Sequence, residues 1–148
     1  MRNFGVAVDS LSVSQQNYVM CDSLNKMAEE SGISPVMFVQ CMGKPMIPAN
    51  FPIMASSHLF AFDGPVVATS AQTCRVALNT FKTNPIYLYV WDLEWTQNAT
   101  MVGDVYMNDK VNLIARSQQH FAYLEGLWKK PVATIEDFDH VALLRLTS

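Results

Sequence analysis

Short apolar runs without polar alternation recur along this chain, each followed by a stretch with helical spacing. Phe4–Val8, Pro35–Val39, Pro65–Thr69, Ile86–Val90 and Val111–Ala115 are of this kind. A strand that faces water on one side alternates polar and apolar residues, whereas one covered on both faces does not. Such runs interleaved with amphipathic segments specify an α/β domain: a mostly parallel sheet with helices on both faces, in three layers. Right-handed crossovers between the units give a doubly wound, Rossmann-like arrangement.

The punctuation supports this order. Ser12 and Ser14 can cap a helix that runs to about Glu30, with Met20, Leu24 and Met27 on one face and Ser31-Gly32 after it. Cys41–Pro52, with one glycine and three prolines, is a loop. Ile53–Phe62 is ambiguous, and its second half, Leu59–Phe62, is expected as a strand. Asp63-Gly64 is a turn, and Ser70 caps a helix whose Ala71, Cys74, Leu78 and Phe81 share a face. Residues 95–108 show no clear period and are expected as a long loop or a short helix. Gln118–Trp128 is a helix with Phe121, Leu124 and Trp128 on its buried side. Lys129 and Lys130 suit its C-terminal dipole, and Pro131 stops it. Val132–Ile135 is the last strand, and Asp139 caps a closing helix through Leu146. No repeat or low-complexity tract divides residues 1–148, which read as a single domain.

Composition sets limits on function. Half the residues are hydrophobic and only 16% are charged, so the surface is poor in charge and a homo-oligomer or a partner chain is expected. A net charge of −3 argues against nucleic acid as a ligand. Cys21, Cys41 and Cys74 are odd in number and lie among apolar residues, as buried thiols would. No apolar run reaches the length of a membrane span, and the first residues lack a signal-peptide core, so a cytoplasmic location is expected. His58, His120 and His140 are scattered, so no metal site is expected. The six glycines form neither a dinucleotide fingerprint nor a P-loop, and no cofactor is expected.

Open parallel sheets bind ligands beyond the carboxyl ends of their strands. The residues that follow the strands here are Asp9-Ser10, Gln40, Thr69-Ser70, Trp91 to Trp95, Arg116-Ser117 and Glu136-Asp137. Asp92 and Glu94 are the candidate catalytic acid and base, because apolar neighbours raise a carboxyl pKa towards a useful value. Asp9, Ser10, Ser70 and Ser117 are candidate substrate-binding residues, and Trp91 and Trp95 offer rings that could stack on a sugar or base or simply pack.

The order of these motifs resembles the N-terminal half of a glycosyltransferase of the GT-B fold. Ile86 to Trp95, Ile-Tyr-Leu-Tyr-Val-Trp-Asp-Leu-Glu-Trp, is similar to that family's apolar strand followed by His-Asp, with Trp91 in the histidine's place. Asn112-Leu113-Ile114-Ala115-Arg116-Ser117, the helix after it, Lys129-Lys130-Pro131 and Glu136 to Asp139 follow the family's strand, helix, Lys-rich turn and linker. Asp63 to Ser70 is similar to its central strand. Asp9-Ser10-Leu11-Ser12 replaces the family's glycine-rich loop. The resemblance implies an acceptor-side domain that binds a carbohydrate acceptor. A nucleotide-sugar donor would be held only with a second domain, from a partner chain or a second copy. Two alternatives stand beside it: a non-catalytic binding module that keeps the fold, and a flavodoxin-like cofactor binder.

Overall fold

The structure, a computed structural model, describes residues 1–81, 84–94 and 98–148. Seven strands form one sheet: β1 Arg2–Ser10, β2 Ile33–Cys41, β3 Ile53–Ala55, β4 Val66–Ala68, β5 Ile86–Val90, β6 Val111–Ala115 and β7 Ala133–Thr134. Their order is β3-β2-β1-β4-β5-β6-β7, and every neighbouring pair is parallel. This is the Rossmann order extended by one strand, and it differs from the 2-1-3-4-5 order of flavodoxin-like sheets. Gly5 pairs with Val36 of β2 on one side and Val66 of β4 on the other, so the first strand lies at the centre.

Helices α1 (Gln15–Glu29) and α5 (His140–Leu146) cover one face, and α2 (Ala71–Thr80), α3 (Ala99–Tyr106) and α4 (Gln118–Leu127) cover the other. Each face has its own core. Met20, Leu24, Met27 and Leu143 pack on Val6, Val8, Met37, Tyr89 and Ile114. Cys74, Ala77, Val102, Tyr106 and Leu124 pack on Ala7, Leu88, Val90, Leu113 and Ala115. Successive residues of β1 and β5 thus enter opposite cores, which is why those runs carry no polar alternation.

Three expectations need correction. Leu59–Phe62 is not a strand: β3 is Ile53–Ala55, and a 3₁₀ helix over Ser56–Ala61 follows it. The chain must leave the sheet edge at β3 and cross to β4, and the helical turn buries Leu59 while Phe60 stays 76% exposed. An extended run would instead point these neighbours to opposite sides. Cys41 is exposed at the end of β2; Cys21 and Cys74 are the buried thiols. Lys129 does not serve its own helix end, because its Nζ donates to the carbonyls of Asn108 and Val111, 2.7 and 2.5 Å away.

Residues 99–106 form α3, the short helix of the two expected outcomes, with Val102, Val105 and Tyr106 buried at helical spacing. The turn before α5 is held from within. The buried Tyr89 hydroxyl donates to the Ile135 carbonyl and accepts from the Phe138 N–H. Asp137 and Phe138 there have φ of 50° and 52°. Among the described residues no helix is long and apolar enough to cross a membrane.

Candidate functional site

The sheet order reverses between β1 and β4, and a cleft of about 650 Å³ opens at that point beyond the strand ends. Three helices begin on it, each with a polar cap. At α1 the Ser14 hydroxyl accepts the Asn17 N–H, and the buried Asn17 amide donates to the carbonyls of Ser10 and Ser12 at 3.1 and 2.6 Å. One asparagine therefore shapes the whole β1–α1 loop without any glycine. At α2 Ser70 and Thr73 satisfy each other's backbone N–H groups in a reciprocal capping box. The buried Thr69 hydroxyl donates to the Ala7 carbonyl at 2.9 Å and ties β4 to β1. At α3 the Asn98 side chain accepts the Met101 N–H.

Glu94 joins two of these elements. Its carboxylate oxygens accept the N–H of Ala71, the first residue of α2, at 2.9 and 3.1 Å. The Tyr106 hydroxyl of α3 donates to the same carboxylate at 3.0 Å. Burial pushes the Glu94 pKa up, the two hydrogen bonds pull it back, and the charges of Asp9 and Asp92 push it up further. The net direction is upward, towards the range of a useful base. Burial and the facing carboxylate raise the Tyr106 phenol as well, and burial pushes the Cys74 thiol up to about 12, leaving both protonated at neutral pH.

Five of the eight candidate residues line this one cleft: Asp9, Ser10, Ser70, Asp92 and Glu94. Asp9 and Asp92 are exposed on its rim, while Glu94 is half-buried. Trp91 and Ser117 are not part of it. They line a separate depression of about 190 Å³ at the ends of β5 and β6, together with Arg116, Gln119, His120 and Asp137. Trp91 is partly buried against the α1-side core, tilted on Tyr89 at 6.2 Å, so it packs rather than forming a wall of the main cleft. Trp95 falls outside the described residues. The cleft residues that sequence reasoning passed over are Asn17, Thr69 and Asn98, with Tyr106 behind Glu94. The caps among them carry a local signal, since each is a polar residue just before or within a first helical turn. Tyr106 carries none.

The lining decides what can bind. Among the described residues it holds three carboxylates, several hydroxyls and amides, and no Lys or Arg. The first N–H of α2, one of the three helix N-termini on the cleft and so a potential donor to an anion, is occupied by the chain's own Glu94. An anionic ligand meets repulsion here, whereas a neutral, hydroxyl-rich one meets donors and acceptors throughout. Among the described residues no group of three or more His, Cys, Asp or Glu side chains could hold a metal ion. Comparison of the chain with models of protein families, with curated proteins and with solved structures finds no match.

Proposed function

We propose that this chain is the acceptor-side domain of a sugar transferase, with the cleft between β1 and β4 holding a carbohydrate hydroxyl for attack. The observation that carries the reading is the fastened, half-buried Glu94 carboxylate in a cleft lined by hydroxyls and amides and free of cations among the described residues. Its partners hold it in one orientation, and its pKa is shifted upward, the direction that makes a carboxylate a stronger base. In the step so proposed, the acceptor hydroxyl gives its proton to Glu94 as its oxygen bonds to the anomeric carbon of a donor sugar. The bond from that carbon to the leaving group breaks, and the leaving group departs with the electron pair. Asp92, exposed on the rim, is the second candidate base. The donor would be presented by a second domain, on whichever chain carries it.

The second reading, a binding module without turnover, is favoured by one specific observation. The same two hydrogen bonds that orient Glu94 also engage its carboxylate, as a purely structural carboxylate would be engaged. A titration separates the readings. Neutral oligosaccharides should shift the backbone signals of Ser10 and Ser70, and transfer from nucleotide sugars should require a donor-binding domain in the mixture. Glu94→Gln should then lower the transfer rate by about 10²–10⁴ with acceptor binding nearly unchanged. Binding with no transfer under any such mixture selects the module. No saccharide response at Ser10 and Ser70 removes both readings.

A further inference from the structure

The depression beside the cleft, unlike the cleft itself, has a cation in its lining, and nothing in the transfer reading uses it. Arg116 stands with its guanidinium carbon 4.7 Å from the centre of the Trp91 ring. Stacking of this kind fixes the plane of the guanidinium and leaves the N–H groups on its edges able to fork towards a ligand. The ion pairs among the described residues involve Lys26 with Asp22, and His140 with Glu30 and Asp139, so no carboxylate there lies within 4.0 Å of Arg116. Ser117 accepts the His120 N–H through its Oγ, which leaves its own hydroxyl proton free to be donated. His120 is held towards its neutral form by burial and by the Arg116 charge. Arg116 is thus the only cation lining the depression among the described residues. Asp137 is the one negative charge in its lining among the described residues.

We propose that this depression is a binding site for an oxyanion, held by the Arg116 fork and the Ser117 hydroxyl over the Trp91 ring. Its volume of about 190 Å³, equal to about six waters of liquid, accommodates a phosphoryl or carboxylate group with residual solvent. A ring-stacked arginine without a carboxylate partner is the usual means of bidentate recognition of either group. Trp91 immediately precedes Asp92 of the main cleft, so the two depressions are neighbours along the strand ends. Should one ligand span both, it would be a saccharide bearing an acidic group. That extension rests on the transfer reading; the oxyanion site itself does not.

The test is a nuclear magnetic resonance titration of the full chain with inorganic phosphate and, separately, with acetate, using chloride at matched ionic strength as control. Saturable shifts at the Trp91 indole and the Ser117 amide are expected with phosphate, acetate or both, and which of them responds distinguishes phosphoryl from carboxylate chemistry. Arg116→Gln should weaken that binding at least tenfold, and Arg116→Lys should recover only part of it. Asp137→Asn, which suits the left-handed backbone there, should tighten binding severalfold by removing the one repulsive charge. No saturable shift with either anion, or shifts untouched by Arg116→Gln, would overturn the proposal. So would weaker binding in Asp137→Asn. Saccharide-induced shifts at Ser10 and Ser70 are read separately, so either site can fail while the other stands.

Discussion

Glu94 shows how one side chain couples ionisation to stability. Its folded pKa is raised, so between the ordinary value of 4.5 and the higher folded value the native chain holds a proton that the unfolded chain has released. Stability therefore falls as pH rises through that window and levels off above it. Urea unfolding of the wild type and Glu94→Gln across this range should show the wild type losing ground to the variant as pH rises. A difference that stays flat would mean the Ala71 and Tyr106 hydrogen bonds fully offset the burial. Gly5 illustrates a second constraint at this scale. A Cβ there would lie 2.9 Å from the Phe62 ring, which is itself held edge-on by Phe38. Gly5→Ala should cost about 1–3 kcal/mol through overpacking, and Phe62→Leu in the same chain should recover much of it. Calorimetric melting of the single and double variants measures both.

The elements were legible where their signals are local. Ser14, Ser70 and Asp139 each cap the helix expected of them, because a cap needs only a hydroxyl or carboxylate and the N–H groups that follow it. Ser70→Ala should lower stability by about 1 kcal/mol, read as a shift in the urea midpoint with unchanged slope. The strands were legible because burial on both faces removes polar residues from the run itself. What sequence could not carry was the meeting of elements. Glu94 reaches Ala71 across 23 positions and Tyr106 across 12, and neither separation has a periodic signature. Ser117 was grouped with the other strand-end residues, yet β6 lies two strands beyond β4, so its end opens on a different depression. Strand order, a tertiary choice, assigns polar residues to one site or the other. The 3₁₀ helix after β3 was missed for the same reason, since what extends or coils that segment is the route across the sheet.

For the whole molecule, low charge leaves apolar surface to account for. Tyr123 and Leu127, at i and i+4 on α4, are 43% and 59% exposed, with Val132 exposed just beyond. Sedimentation at micromolar concentration should show a dimer or higher oligomer, and Leu127→Lys should shift it towards monomer; a wild-type chain that sediments only as a monomer removes this expectation. The central place of β1 has a further consequence, for synthesis. Its two partners at Gly5 lie 31 and 61 positions downstream, so β1 is made well before β4 and keeps one edge unpaired until β4 arrives. Closing loops of this length is entropically costly, and parallel pairing is slow. Until β4 has been translated, Phe4–Val8 presents bare amides and carbonyls along an apolar edge. That is the form in which nascent chains pair with one another or are taken up by chaperones. Translation pausing before residue 66 should lower the soluble yield of this protein, whereas a pause after residue 68 should be far less harmful.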